Sequence, residues 1–97
     1  FIGMKCYLDD LEPSKTIIED NVVISYGCYF ALHGINQRHS YIHIKHGVYI
    51  GMRATIIASK EGLIIGENTI VGAASLVNKS LPDDVKAVGV PAKIITQ

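Results

Sequence analysis

The sequence predicts an all-β fold, a parallel β-helix, and three observations lead to this prediction. Large apolar residues recur every six positions, a period that fits neither an α-helical stripe nor the alternation of a hairpin sheet. Small residues occupy fixed places in the same six-residue units. The chain has 97 residues, enough for one domain. The repeated apolar positions are Ile2 and Leu8; Ile18, Ile24 and Phe30; Ile44, Ile50 and Ile56; and Ile65, Val71 and Val77.

Each position of the six-residue unit has its own expected place. The apolar first position points into the helix, and Gly at the second position relieves the backbone at a bend. The fifth position packs near a corner, where a bulky side chain would clash. Three units form one triangular coil of about 18 residues, and stacked coils pair as parallel strands. The second positions include Ser25, Gly51, Gly66 and Gly72, and the fifth include Val22, Cys28, Val48, Ala54, Thr69 and Ser75.

An antiparallel β-sandwich is the alternative fold. Its turns would fall at residues 9–10, 26–27, 60–62 and 82–83, where Asp, Gly or Pro occurs. A sandwich has no reason to keep a period of six, so the β-helix is favoured.

Three stretches break the period, and we expect them to be loops on one side of the stack, where solenoid proteins often bind ligands. They span residues 9–17, 33–43 and 58–64. The repeat ends after Leu81, and Pro82 and Pro91 indicate a cap or an extended tail. The chain is therefore predicted to be one β-helix domain over 1–97, with coils to about residue 81, a loop insertion at 33–43 and a C-terminal tail at 82–97.

The composition excludes several classes of function. Nine basic and nine acidic residues give zero formal net charge, so a nucleic-acid partner is not expected. No apolar run is long enough to span a membrane, and residues 1–15 lack the pattern of a signal peptide. Cys6 and Cys28 are too few for a disulfide framework. We therefore expect reduced, at least partly buried cysteines and a cytoplasmic location.

The histidines carry the candidate chemistry. His33 closes one unit of the repeat and opens the longest interruption, so a rigid strand would hold it facing a loop. An imidazole can accept a proton at neutral pH, which makes His33 the predicted general base and His39 the second choice. His43 and His46 have the positions of solvent-facing strand residues.

A zinc site is a second interpretation of the four histidines, which could supply three imidazole ligands. Their spacing does not favour it, because no two are separated by one full coil and could stack as ligands. No metal is therefore expected.

Two segments resemble the hexapeptide-repeat acyltransferases. They are residues 50–81, which read IGMRATIIASKEGLIIGENTIVGAASLVNKSL, and the tail segment AVGVPAKII. The resemblance covers about residues 18–95 and is closest to the galactoside, maltose and capsular-sugar O-acetyltransferases. It implies a left-handed β-helix, an exception to the usual right-handed crossover. It also implies a homotrimer that binds acetyl-coenzyme A (acetyl-CoA), the acyl donor, in the groove between neighbouring helices.

The resemblance further implies the residues that bind the donor. Met52 and Ala73 match positions along the pantetheine arm, and a small side chain at 73 lets that arm lie against the backbone. Asn78 and Lys79 match a Thr/Ser-Lys pair near the cofactor, where Asn78 departs from the commoner Thr. Lys93 matches a basic residue near the nucleotide phosphates, where a cation offsets negative charge.

The catalytic role implied for His33 is to deprotonate an acceptor hydroxyl, which then attacks the thioester within a ternary complex. The predicted acceptor is a sugar, and Asp10, Asn36 and Gln37 have suitable groups to contact it. Serine stays open, because Arg38-His39 resembles a pair in the serine acetyltransferases. A trimeric zinc enzyme similar to the γ-class carbonic anhydrases and a non-catalytic β-helix are the remaining alternatives.

Overall fold

The computed structural model describes residues 1–9, 16–31, 41–58 and 61–96. These residues form short strands and turns, and no helix long and apolar enough to cross a membrane occurs among them. The strands are β1 (Tyr7–Asp9), β2 (Thr16–Ile18), β3 (Val23–Ile24), β4 (Tyr29–Ala31), β5 (Ile42–Ile44), β6 (Tyr49–Ile50), β7 (Thr55–Ile57), β8 (Leu63–Ile65), β9 (Ile70–Val71), β10 (Leu76–Val77), β11 (Lys86–Val88) and β12 (Lys93–Thr96).

The strands form three sheets that the chain visits in rotation. The four-stranded sheet has the order β1-β4-β7-β10, the three-stranded sheet β2-β5-β8, and the five-stranded sheet β12-β11-β9-β6-β3. All pairs are parallel except β11 with β12. The predicted parallel β-helix is therefore confirmed.

The core of the helix is the column of first-position residues, as the period predicts. Ile44, Ile50, Ile56, Ile65 and Val71 are each 0% exposed. The fifth-position residues are also buried, including the polar Thr69 and Ser75, which hydrogen-bond to neighbouring coils. In the interior strands, a first-position side chain lies between its counterparts on the two neighbouring coils, and burial of this apolar area stabilises the stack.

The coil length differs from the predicted 18 residues. Tyr7 pairs with Tyr29, Tyr29 with Thr55, and Thr55 with Leu76, which gives separations of 22, 26 and 21. Every step between inward residues is still six, except where the chain passes from the four-stranded to the three-stranded sheet. We call that edge the loop corner. The interruptions lengthen the earlier coils there, whereas Ile65 pairs with Leu81 and Val71 with Ala87, so the last coil has only 16 residues. Elsewhere the hexapeptide is strict.

The other two edges also have a regular character. The polar corner, between the three- and five-stranded sheets, contains residues 20–21, 46–47, 67–68 and 83–84. The apolar corner, between the five- and four-stranded sheets, contains residues 4–5, 26–27, 52–53 and 73–74. At both corners the fourth position of the unit has a positive φ, which turns the chain through the edge. These residues are Lys5, Asn21, Gly27, Gly47, Arg53, Asn68, Ala74 and Asp84.

Glycine is required at the second position of the unit for a different reason from the one expected from the sequence. Gly51, Gly66 and Gly72 are not among the residues with positive φ, so the bend does not require them. A Cβ at Gly51 would lie 2.6 Å from the backbone N of Ala73, and one at Gly66 2.5 Å from that of Asp83. Glycine is needed there because adjacent coils approach too closely for a side chain.

Ala74 is a testable case of backbone strain. With φ at 59° it occupies the left-handed region, which disfavours residues that have a Cβ. We expect Ala74→Gly to raise the free energy of unfolding by roughly 0.5–1 kcal/mol, because relief of this strain exceeds the entropic cost of glycine. Urea unfolding monitored by circular dichroism measures the change. The control is Ala73→Gly, whose φ is not positive and which should change stability in the opposite direction.

The coiled part of the chain extends further than the predicted boundary near residue 81. Leu81 forms a parallel bridge with Ile65, and β11 pairs in parallel with β9, so Val85 and Ala87 are still buried in the stack. The chain then reverses, and β12 pairs antiparallel with β11. The antiparallel strand ends the ladder and covers the edge of β11, which would otherwise expose unpaired backbone groups.

Candidate functional site

The loop corner collects the interruptions of the repeat. Strands β4, β7 and β10 are parallel neighbours, so their carboxyl ends, Ala31, Ile57 and Val77, meet at this edge. His33 and His39 lie in 32–40, outside the described residues, as do Asp10, Asn36, Gln37 and Arg38. The segment that contains both histidines leaves the sheet at Ala31 and re-enters the described chain at Tyr41, next to β5.

A cleft of about 450 Å³ lies close to this edge, between the last coil and the tail. Asn78 follows Val77 at the end of β10, and Lys79 comes directly after it. Lys93, the first residue of β12, lines the cleft on the side of the tail. The cleft is lined by Asn78, Lys79, Ser80, Leu81, Pro91, Ala92, Lys93 and Ile94. The structure therefore brings together three of the five predicted donor-binding residues.

Backbone hydrogen bonds hold the tail in place beside the cleft. The N–H of Leu76 donates to the carbonyl oxygen of Gly89 at 2.9 Å, and the N–H of Ala92 donates to that of Leu76 at 2.7 Å. The N–H of Gly89 donates to Oγ of Ser75 at 3.0 Å. Residues 89–92 thus bind along β10, which fixes where Lys93 enters the cleft.

Met52 and Ala73, the other two predicted donor-binding residues, meet at the apolar corner. They occupy the same position on successive coils, and the N–H of Ala74 donates to the carbonyl oxygen of Met52 at 2.9 Å. Both side chains are exposed, with Met52 at 53%. The four-stranded sheet separates this pair from the three residues of the cleft. The five residues thus form two groups, one on each side of β10.

His43 has a partner that the sequence did not reveal. Its Nε2 lies 2.6 Å from Oε2 of Glu19 on the adjacent coil. The side chain of His43 is 27% exposed and that of Glu19 is 35% exposed. Oε1 of Glu19 accepts the N–H of His46 at 2.9 Å. The hydrogen bond from His43 is the main reason that the pKa of Glu19 is below its usual value of 4.5. His43 therefore joins two coils, rather than simply facing solvent.

The other sequence-level expectations have mixed outcomes. His46 is exposed, as expected, but lies in a turn at the polar corner rather than on a strand. Both cysteines are free thiols; Cys28 is buried, Cys6 is partly buried, and burial raises the pKa of the Cys28 thiol. In the part of the chain that the structure describes, no three His, Cys, Asp or Glu residues are grouped to hold a metal ion.

Comparison with known proteins gives consistent relatives. No protein-family model matches the chain. The serine acetyltransferase of Buchnera aphidicola subsp. Acyrthosiphon pisum is 46% identical over 54 residues, covering 56% of this chain and 19% of the relative. The galactoside O-acetyltransferase of Escherichia coli K12 is 39% identical over 56 residues, covering 58% and 26%. A protein of Staphylococcus aureus (strain COL), named only as an acetyltransferase, is 30% identical over 103 residues, covering 98% and 50%.

Solved structures extend the similarity to the whole fold. Serine acetyltransferase from Brucella abortus strain S19, solved with coenzyme A, has a TM-score of 0.78 and 31% identity over 99% of this chain and 39% of its own. A hexapeptide-repeat serine O-acetyltransferase from Brucella melitensis has a TM-score of 0.72 and 33% identity over the same shares. The chain spans between a fifth and a half of the length of the relatives it matches.

Proposed function

Because this chain has the left-handed hexapeptide-repeat β-helix of these acetyltransferases, we propose that it is the acyl-transfer part of an acetyl-CoA-dependent O-acetyltransferase. The observation that carries the proposal is the similarity over 99% of the chain to a hexapeptide-repeat enzyme solved with coenzyme A. The cleft beside the loop corner is lined by Lys79 and Lys93, and their positive charge suits a donor that carries phosphate groups. The proposed acceptor is the hydroxyl group of a sugar.

The described residues fit the chemistry of the donor. Acetyl-CoA has a thin, largely apolar pantetheine arm and a phosphate-rich nucleotide. The exposed methyl of Ala73 and side chain of Met52 leave the backbone of the apolar corner accessible to the arm. Lys79 and Lys93 supply cations for phosphate oxygens, and Asn78 supplies amide donors beside them. The two groups lie on either side of β10, and residues 89–92 run along that strand, so the donor would lie beside these tail residues.

The proposed mechanism is direct transfer within a ternary complex. His33 removes the proton of the acceptor hydroxyl, and the oxygen attacks the carbonyl carbon of the acetyl thioester. A C–O bond forms, the C–S bond breaks, and the coenzyme A thiolate takes up the proton from the imidazolium. A backbone N–H of an adjacent coil would stabilise the oxyanion.

Serine is the second candidate acceptor. The solved serine acetyltransferases cover nearly the whole chain, and the Buchnera aphidicola serine enzyme is 46% identical in the matched region. The galactoside enzyme, which matches a similar share of the chain, supports a sugar. The same acetyl donor would serve both acceptors. They differ in the protein groups that must bind the molecule around its reacting hydroxyl.

We further propose that the protein works as a homotrimer in the cytoplasm. Tyr29, Tyr49, Met52 and Ile70 are each 40–53% exposed, a large apolar surface for a small domain, and a symmetric assembly would cover part of it. Two free thiols suit a reducing compartment.

Calorimetric titration with acetyl-CoA tests the proposed function. We expect saturable binding with about one molecule per chain in a sample that light scattering shows to be trimeric. Lys93→Ala should weaken this binding by about tenfold, because the loss of one charge-assisted phosphate contact is worth about 1.4 kcal/mol. Acetyl-pantetheine, which lacks the nucleotide, should bind both proteins equally.

Lys86→Ala is the matched control, because Lys86 is an exposed lysine on β11 that does not line the cleft. It should leave the affinity for acetyl-CoA unchanged. Absence of acetyl-CoA binding to the trimer would contradict the proposed function. Equal weakening by both lysine substitutions would contradict the role of the cleft.

A further inference from the structure

Tyr41 presents an aromatic ring at the loop corner. It is the first described residue after the segment that contains His33, and its carbonyl oxygen accepts the N–H of Leu63 at 2.8 Å. The residue is 38% exposed, although its neighbour Ile42 is fully buried. An exposed tyrosine with a fixed backbone therefore lies beside the segment to which the proposed base belongs.

The ring of Tyr41 lies with one face against the backbone of Gly62. A Cβ at Gly62 would overlap the ring carbons Cδ1, Cε1 and Cζ together. A group approaching the edge of a ring meets one carbon much more closely than the two beside it, so this overlap shows an approach to the face. Gly62 has no side chain and a φ of +87°, and it thereby leaves room for the ring.

Tyr41 is 38% exposed while one face of its ring packs on Gly62, so the accessible part of the ring lies away from that contact. Packing on the backbone restricts rotation of the ring, so a ligand bound to it costs little additional side-chain entropy. A tyrosine ring is a rigid, amphipathic contact surface with only two rotatable angles. Its π face is electrostatically negative and attracts weakly positive C–H groups.

We propose that Tyr41 is the platform on which the ring of a saccharide acceptor stacks, a role that rests on the proposed acetyltransferase function. One face of a pyranose presents several C–H groups together, and these complement an aromatic face. Serine has no comparable C–H face, so the platform assigns the acceptor to the saccharide class.

The test is steady-state acetylation of a panel of methyl glycosides, with L-serine as the competing acceptor. Tyr41→Leu and Tyr41→Ala should raise the KM of the accepted glycoside by about tenfold, a typical cost for the loss of a stacked aromatic contact. The KM for acetyl-CoA should not change. Tyr41→Phe keeps the aromatic face and should behave like the wild type, and melting temperatures show that the variants are folded.

Three outcomes would overturn the platform. The glycoside KM could be the same in Tyr41→Leu as in the wild type, Tyr41→Phe could lose as much as Tyr41→Leu, or L-serine could be acetylated while no glycoside is. Failure of the proposed function would be seen separately, as the absence of acetyl-CoA binding in the titration. In that case, calorimetric binding of the glycosides to wild type and Tyr41→Leu still decides whether the ring binds sugar.

Discussion

Replacement of His33 by alanine is expected to lower turnover by roughly 10²–10⁴-fold, the usual contribution of a general base. The affinity for acetyl-CoA should remain nearly the same, because the proposed contacts of the donor are at the apolar corner and in the cleft. Without the imidazole, the acceptor hydroxyl must attack as a neutral, weak nucleophile. Steady-state kinetics with saturating acetyl-CoA, combined with calorimetric binding of the donor, measure the two effects independently.

Two other histidine substitutions serve as references for His33→Ala. His46 is exposed in a turn of the polar corner, on the opposite side of the three-stranded sheet from the loop corner. His46→Ala should therefore leave turnover unchanged. A large loss in His39→Ala with little change in His33→Ala would transfer the role of the base to His39. Loss of acetyl-CoA binding in His33→Ala would show that this residue has a structural or donor-binding role instead.

Ile56→Ala is expected to have the largest effect on stability, lowering the free energy of unfolding by roughly 2–5 kcal/mol. Ile56 is fully buried on β7, in the middle of the four-stranded sheet, and pairs in register with Phe30 on one coil and Val77 on another. The substitution removes contacts on both sides and leaves a cavity that the regular stack closes only in part. Urea denaturation followed by circular dichroism measures the loss.

Ile70→Ala removes the same atoms at a position that is 40% exposed on the outer face of β9. Its cost should be clearly smaller, since less apolar area is buried and no interior cavity forms. Comparable losses from the two substitutions would contradict the assignment of inward and outward positions. The oligomeric state of both variants should be recorded, because an outward residue also contributes to any interface between chains.

The period of six was sufficient to predict the inward column. Each side of the helix is one strand and one corner long, so the same chemistry returns every six residues wherever the chain follows the fold. The fifth-position residues are accordingly buried, as are the first-position residues from Ile24 to Val77, whereas Ile18 is partly buried and Ile2, at the outer end of the stack, is exposed. The loop corner is also recognisable in the sequence, because only there is the period broken.

The reason for the second-position glycines could not be obtained in this way. The sequence shows that Gly51, Gly66 and Gly72 share the second position of the unit, but it does not show how close the next coil lies. The close approach of Gly51 to Ala73 is a property of stacking. The positive φ values instead occur two positions later, at residues such as Arg53 and Ala74, whose side chains do not indicate a left-handed backbone.

Contacts between side chains of neighbouring coils depend on loop length, and for this reason they could not be predicted from the sequence. Glu19 and His43 are 24 residues apart and meet because the segment between them brings β2 and β5 into register. The ring of Tyr41 reaches Gly62 for the same reason, across an excursion that precedes β8. A period records the direction in which each side chain points, because backbone geometry repeats locally. The length of each loop sets the register in which one coil stacks on the next, and this register decides which side chains become neighbours on the surface. Only the folded structure contains that information.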